Sequence, residues 1–364
     1  MQIKELVNFL DHYFPKELQE YYDNSGFQLG DGEQPLKGVL TCVDVTEKVL
    51  DEALENGDNF ILSHHPLIFS GLKSLTSKNY VERIVMKAIQ HNIAIYSAHT
   101  NLDNSGKGVN VKLAEKMGLK DVGILKPMKD QLIKLVFFVP NADADKVREA
   151  VFSAGAGKIG DYDACSYNLK GQGSFRAGEG TNPYVGEKGE LHFEDETRVE
   201  TIFPKYLTSE VLSALFSAHP YEEVAYDLYP LKNLYAEEGA GIIGFLPEAM
   251  EEKDFLDFVK TSFDAQSIRH TDFLGKKIQK VAVGGGSGSF LLKDALNAKA
   301  DVLISADFKY HNFFDADGSI LIADIGHYES EKITKEIFYE VLTEKFHNFA
   351  IHFSKINTNP INYY

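Results

Sequence analysis

The chain contains few cysteines and no long hydrophobic run. Its 364 residues include only Cys42 and Cys165, which argues against a framework of disulfide bonds. No apolar stretch approaches the roughly 20 residues that a membrane-spanning helix needs. The N-terminal segment combines charged residues with the spacing of an amphipathic helix, unlike a signal peptide. We therefore expect a cytoplasmic protein of two or three domains that has no membrane partner.

Positive charge is also scarce. Lysine and arginine together number 37, against 54 aspartates and glutamates, so the formal net charge is −17. Proteins that bind nucleic acid through its phosphates usually present a basic surface. The charge therefore argues against a nucleic-acid partner. It remains compatible with a phosphorylated small molecule, because bound cations can reverse the local field.

Strands and helices alternate in both outer parts of the chain. Apolar runs predict strands at 39–45, 59–62 and 93–96, separated by helices at 47–55 and 80–90. After residue 235 a helix at 253–262 precedes strands at 281–283, 302–304 and 320–322, and another helix begins near residue 328. This alternation predicts an α/β fold with a mostly parallel sheet.

The pattern changes in the middle of the chain. A strand at 135–140, a helix at 144–154, two or three strands within 158–203, a helix at 208–217 and a strand at 224–228 follow one another. This β-α-β-β-α-β order is typical of ferredoxin-like α+β domains. We predict a two-part α/β core, residues 1–124 and 235–364, interrupted by a ferredoxin-like insert over 125–234.

Candidate metal ligands follow three of the predicted strands: His64, His65, Asp103, His327 and Glu331. Strand ends are where open α/β sheets place their sites, so we expect these side chains to meet. The i, i+4 spacing of the last two brings both to one helix face. Each also has a structural interpretation. His64 and His65 could be buried, hydrogen-bonded histidines, and Asp103 could begin a turn or cap a helix. His327 and Glu331 could be an ordinary pair at a helix N-terminus.

Three imidazoles and two carboxylates suit zinc, iron or manganese better than magnesium or calcium. Five protein ligands exceed the three of a typical catalytic zinc site, so we predict two divalent ions, with zinc favoured and Glu331 as the bridge. His99, four residues before Asp103, is a candidate general acid or base, with a supporting or structural role as the alternative.

Other residues are candidates for substrate binding. Gly285, Gly286 and Ser287 follow a predicted strand and could present backbone N–H groups to an anion. The turn lacks the Walker lysine and the dinucleotide fingerprint, so a tight strand–helix connection is the alternative. Lys309 could contact a phosphate, and His311 could add a polar contact near the same strand ends.

Together these motifs resemble the family of GTP cyclohydrolase I type 2 homologues, also called NGG-interacting-factor-three-like proteins. The resemblance covers both outer segments in order, from Asp23-Asn24 through Ser63-His64-His65-Pro66 to Gly326-His327-Tyr328. It implies a pair of metals held by the five ligands named above. It also implies a toroidal homohexamer built from trimers, and an insert similar to PII or CutA domains, which the motif His219-Pro220-Tyr221-Glu222-Glu223 supports.

The resemblance implies a GTP cyclohydrolase activity, in which a metal-activated water opens the imidazole ring of guanine and formate is released. The expected substrate is therefore a purine nucleotide. Two alternatives remain open from the sequence. The same ions could serve a phosphoesterase. The chain could instead be a metal-binding regulatory or chaperone-like protein without turnover, because PII-like and CutA-like modules usually sense ligands or form trimers.

Overall fold

The computed structural model describes residues 1–364, which form two compact units. The core unit consists of Met1–Pro127 and Ala236–Tyr364, and the inserted unit consists of Met128–Tyr235. The sequence pattern predicted this insert over 125–234. None of the helices combines the length and apolar composition needed to cross a membrane.

The elements are numbered in chain order. The first part of the core unit contains α1 (Ile3–Tyr13), β1 (Gly26–Leu29), β2 (Gly38–Cys42), α2 (Glu47–Asn56), β3 (Phe60–Ser63), α3 (Tyr80–Gln90), β4 (Ala94–Ser97), α4 (Thr100–Asp103), α5 (Val109–Lys116) and β5 (Lys120–Met128). The inserted unit contains β6 (Leu132–Pro140), α6 (Ala144–Ser153), β7 (Tyr167–Arg176), β8 (Leu191–Pro204), α7 (Thr208–Ala218) and β9 (Tyr226–Leu231). The second part of the core unit contains β10 (Tyr235–Met250), α8 (Glu252–Ser262), β11 (Arg269–His270), β12 (Ile278–Ser287), α9 (Leu292–Asn297), β13 (Val302–Ala306), β14 (Leu321–Asp324), α10 (His327–Glu331), α11 (Thr334–Lys345) and β15 (Ala350–Phe353).

The core unit has two sheets rather than one. The five-stranded sheet has the order β1-β4-β3-β2-β15, and the six-stranded sheet has the order β11-β14-β13-β12-β10-β5. β4, β3, β2 and β15 are parallel to one another, as are β14, β13 and β12. Each part of the chain therefore lends one strand to the other part's sheet, β15 to the first and β5 to the second. The predicted α/β class with mostly parallel strands is confirmed.

Alternating side chains place the two sheets around a shared core. Phe60 and Leu62 of β3 lie in the same buried cluster as Ile304 of β13, together with residues of α1, α5, α8 and α11. Ile61 points instead to a cluster beneath α2 and α3, and Leu303 to one beside α9. Because successive strand residues point to opposite faces, strands covered on both sides are apolar throughout. The carboxyl ends of the parallel strands are thereby fixed in position.

The inserted unit has the ferredoxin-like order predicted from its pattern. Its four-stranded sheet has the order β7-β8-β6-β9, and every neighbouring pair is antiparallel. Phe137 and Val139 of β6 belong to a core that also contains Val147 of α6 and Val211 of α7. Phe138, which lies between the first two, points to the opposite face of the sheet because side chains alternate. A cavity lined by Phe138 lies on that face of the sheet.

The shared core makes a prediction for stability. Replacing Ile304 by alanine should lower the free energy of unfolding by about 2–5 kcal/mol, because it leaves a cavity between the sheets. Ile89→Ala is the matched control, since Ile89 is 51% exposed on α3. Its effect should stay within about 0.5 kcal/mol. Urea unfolding followed by circular dichroism measures both, and equal losses would contradict this description of the core.

Candidate metal centre

The five predicted ligands meet at the carboxyl ends of parallel strands from both sheets. β3 leads directly into His64 and His65, β4 leads into α4 with Asp103, and β14 leads through Gly326 into α10, which contains the remaining two, His327 and Glu331. Their donor atoms form two groups, each lying within 4.8 Å: His65, His327 and Glu331, and His64, Asp103 and Glu331. Within each sheet the carboxyl ends of the parallel strands share one edge, and the edges of the two sheets meet at this cluster.

Glu331 belongs to both groups. Its Oε2 lies 2.9 Å from Nε2 of His65 and 2.9 Å from Nε2 of His327. Its Oε1 lies 3.5 Å from Nε2 of His64, which in turn is 3.7 Å from Oδ1 of Asp103. The side chain of Glu331 is only 3% exposed. One buried carboxylate therefore directs one oxygen toward each group of ligands.

Carboxylates behind two of the imidazoles fix their orientation. Nδ1 of His65 lies 2.7 Å from Oδ1 of Asp44, and Nδ1 of His327 lies 2.7 Å from Oδ2 of Asp307. A carboxylate bonded to Nδ1 fixes the plane of the ring, so Nε2 points away from it and here faces Glu331 and the other ring. The two Nε2 atoms are 3.2 Å apart. Imidazoles that bind metals commonly have this arrangement.

The other two histidines are held in the same way. Nδ1 of His64 lies 2.8 Å from the carbonyl oxygen of Ala98, and Nδ1 of His99 lies 2.8 Å from Oδ1 of Asp23. The second oxygen of Asp23 accepts hydrogen bonds from the backbone N–H and the hydroxyl of Thr100. Nε2 of both rings is therefore left without a hydrogen and directed away from these partners. His99 also forms a third group of donors with His64 and His65.

Three buried polar atoms of this cluster have no hydrogen-bond partner: Nε2 of His64, Oδ1 of Asp103 and Oε2 of Glu331. Leaving a buried polar atom unsatisfied costs on the order of 1–3 kcal/mol, and more for a charged group. The ring hydrogen of His64 lies on Nδ1, and an ionised carboxylate has no hydrogen to donate, so Nε2 of His64 and Oε2 of Glu331 cannot satisfy one another. Divalent cations would satisfy all three, and the nitrogen and oxygen donors fit zinc, iron or manganese.

The pKa values of the cluster show how strongly its carboxylates attract positive charge. Burial and the nearby Glu331 raise the pKa of Asp103 well above its usual value. Burial opposes ionisation of Glu331, but His64 and the neighbouring imidazoles hold its pKa well below the usual value. Burial also opposes protonation of His65 and His327, but their carboxylate partners raise the two pKa values to about 10 and about 11. Positive charge beside Glu331 is therefore strongly favoured.

The glycine turn contacts Glu331 rather than offering free N–H groups. The N–H of Gly285 donates to Oδ1 of Asn110, and the N–H of Gly286 donates to Oγ of Ser330, both at 2.9 Å. Gly286 has a φ of 57°, and a Cβ there would lie 2.1 Å from Oε1 of Glu331. The expectation that these two N–H groups bind an anion is therefore wrong, because both are already used. The turn needs glycine to admit the carboxylate.

A cavity of about 250 Å³ opens beside the cluster. The residues that line it include His99, Glu331, Gly285 and Ser287. Lys309 and His311 are exposed and are not among its lining residues. The structure therefore does not bring these two predicted substrate contacts to the cavity.

Asp44, the partner of His65, was not among the residues predicted from the sequence. Asp44 lies two residues after β2, whose neighbour β3 carries His65, and its second oxygen accepts a hydrogen bond from the hydroxyl of Thr358. Asp307 directly follows β13 and has a φ of 58°, a conformation that aspartate tolerates better than most residues. Asp307 was a candidate polar contact from the sequence, and the same signal, an aspartate just after a strand whose parallel neighbour leads into a histidine, could have identified Asp44.

The chain is similar in sequence to proteins of one known family. A family model described as Duf34/NIF3 (NGG1p interacting factor 3) matches residues 1–360. The chain is 42% identical over 365 residues to a Halalkalibacterium halodurans protein named "GTP cyclohydrolase 1 type 2 homolog", covering 98% of both chains. It is 38% identical to a Bacillus subtilis protein of the same name, covering 99% of this chain and 98% of the relative.

A solved structure is similar over the whole chain as well. It is titled "The Crystal Structure of Bacillus cereus protein related to NIF3" and matches with a TM-score of 0.87 at 39% identity. The match covers 100% of this chain and 99% of that one. With the whole-chain family match and these relatives, the chain belongs to the Duf34/NIF3 family.

Proposed function

We propose that this protein is a metal-dependent hydrolase that holds two divalent ions and acts on a purine nucleotide such as GTP. The observation that carries the proposal is Glu331, whose two oxygens face two separate groups of donors. His65 and His327 would hold one ion, and His64 and Asp103 would hold the other, with Glu331 facing both. Zinc is favoured, with iron and manganese as alternatives, because of the mixed imidazole and carboxylate donors.

Ions bound here would lower the pKa of water and polarise the group under attack. The chain's own residues orient the reactants and move protons. His99 lines the cavity, and Asp23 behind it fixes Nδ1 as the protonated nitrogen, so Nε2 can accept a proton from a reacting group. We assign His99 as the general acid or base and Asp23 as the residue that positions it.

The name shared by the relatives supports a cyclohydrolase reaction in particular. In that reaction one water adds to C8 of the guanine ring and the imidazole ring opens to a formamide, and a second water hydrolyses the formamide so that formate leaves. The cavity of about 250 Å³ lies just below the range of about 300–1,000 Å³ for pockets that enclose whole ligands. It therefore encloses the reacting part of a nucleotide and leaves the rest outside. Ser287 is the candidate contact to the substrate.

The first prediction for the metal centre concerns Glu331→Gln. The substitution removes the negative charge shared by both groups, so metal content should fall from two ions per chain to less than one, and formate release from GTP should stop. Plasma emission spectrometry counts the metal in protein loaded separately with zinc, manganese and ferrous iron. A formate assay runs on the same samples.

Glu329→Gln is the matched control for this experiment. Glu329 is 7% exposed on the same helix, and its Oε1 accepts a hydrogen bond from Asn359 instead of facing the cluster. It should keep its metal and its turnover. If the unmodified protein binds two ions but releases no formate from GTP, the cyclohydrolase reaction is rejected and the metal centre stands. If the metal-loaded protein then cleaves phosphoesters, the phosphoesterase alternative is favoured. If it turns over neither kind of substrate, the regulatory alternative is favoured.

The second prediction uses the close approach of Gly286 to Glu331. Gly286→Ala should displace the carboxylate and weaken metal binding at least tenfold, because the new Cβ would overlap Oε1. Gly318→Ala carries the same backbone penalty, with a φ of 62°, but nothing lies within 4 Å of its Cβ. Calorimetric zinc titration of both folded variants makes the comparison. Equal affinities would mean that this contact does not position Glu331.

The third prediction tests the carboxylate behind His65. Asp44→Asn should lower metal affinity by about 10–100-fold, because the ring loses the charged partner that orients it and increases its basicity. Asp58→Asn is the control, since Asp58 makes a similar contact with Nδ1 of His352 away from the cluster. Competition with a fluorescent zinc chelator measures both affinities. A similar loss in the two variants would contradict the role of Asp44.

A further inference from the structure

A second cavity lies within the inserted unit. It has a volume of about 400 Å³, and four aromatic rings line it: Phe138, Phe175, Tyr184 and Tyr221. It occupies the face of the sheet that α6 and α7 leave uncovered, as the position of Phe138 shows. Every lining residue belongs to the inserted unit, and none belongs to the metal centre. Its size is within the range of about 300–1,000 Å³ for small-molecule sites.

The segment that closes one side of this cavity is held rigidly. Nε2–H of His219 donates to the carbonyl oxygen of Phe138 at 2.9 Å, and its Nδ1 accepts the N–H of Tyr221 at 3.1 Å. The hydroxyl of Tyr221 donates to Oε1 of Glu196 at 2.9 Å. Both nitrogens of this histidine are therefore used, so it is not a metal ligand. The ring and the carboxylate are in position before any ligand binds, which lowers the entropic cost of binding.

Gly173 allows the carboxylate of Glu196 to lie across strand β7. A Cβ on this glycine would come within 2.3 Å of Oε2 of Glu196. Glycine inside a strand usually weakens it, and it often marks a place where another group approaches the backbone closely. Here the approaching group is a carboxylate that also lines the cavity. The strand therefore places negative charge among the aromatic rings.

The charge of the cavity selects the class of ligand. Three carboxylates line it, those of Glu196, Glu222 and Glu223, against the single guanidinium of Arg176, for a net charge of −2. This balance disfavours an anion. Aromatic walls are poor ligands for a hydrated divalent ion, which prefers a shell of oxygen atoms. The faces of aromatic rings do attract organic cations, whose alkyl groups they also shield from water.

We infer that this cavity is a second ligand site, which binds a small organic cation of the alkylammonium class. The rings of Phe175, Tyr184 and Tyr221 enclose the alkyl groups, and Glu196 balances the charge. This proposal does not depend on the proposed hydrolysis at the metal centre, because all residues of the cavity belong to the inserted unit.

Choline and its neutral carbon isostere, in which a quaternary carbon replaces the nitrogen, are suitable probes. Saturation-transfer NMR and calorimetry on the full-length protein should show that the cation binds and that the isostere binds at least tenfold more weakly. Phe175→Leu should weaken choline binding by about threefold to thirtyfold, because it removes the aromatic face and keeps an apolar side chain. Phe193→Leu is its control, since Phe193 is 57% exposed on β8 and does not line the cavity.

Glu196→Gln gives a second test that preserves the shape of the cavity. It should reduce binding of choline to the level of the neutral isostere and leave the metal content of the protein unchanged. The proposal is overturned if neither probe binds at millimolar concentration, if both bind equally, or if Phe175→Leu and Phe193→Leu behave alike. Tighter binding of succinate than of choline at this cavity would assign it to anions through Arg176, and would overturn the proposal as well.

Discussion

The negative charge of Glu331 is the constraint on which the candidate centre depends. Burying a carboxylate is costly unless positive charge or hydrogen-bond donors surround it. Here the neighbours of Glu331 are the Nε2 atoms of three imidazoles, and two of these rings follow β3 in one sheet while the third follows β14 in the other. A cation between these groups would link strand ends of both sheets. The shared apolar core beneath them keeps those strand ends at a fixed distance, so core and site support each other.

Much of this arrangement could be predicted from the sequence because it follows from short-range rules. Apolar runs identified β3, β4 and β14, and parallel strands place their carboxyl ends on one edge. The four-residue spacing of His327 and Glu331 places both on one face of α10. The ferredoxin-like order of the insert followed from its alternation of strands and helices in the same way. In each case the decisive information is the local pattern of single strands and helices and their order along the chain.

The remainder depends on contacts between distant parts of the chain. β15 joins the sheet of β2, more than 300 residues away, and thereby brings Thr358 to Asp44 behind His65. No local pattern distinguishes Asp44 from an ordinary aspartate after a strand. The glycine turn was misinterpreted for the same reason, since the groups that use its N–H donors, Asn110 and Ser330, come from two other helices. Sequence periodicity cannot show which donors are already satisfied.

A glycine-rich strand end can therefore serve two opposite purposes. When its N–H groups are free it attracts an anionic ligand. When they are already bonded, the missing Cβ becomes the important property, because a carboxylate of the protein can lie against the backbone. Gly286 admits Glu331 in this way near the end of β12, and Gly173, which lies inside β7, lets Glu196 approach the backbone through the same lack of a Cβ. Both places then carry negative charge and favour cations, divalent metals where imidazoles surround the carboxylate and organic cations where aromatic rings do. The partners of the turn, rather than its glycines, decide the sign of the ligand.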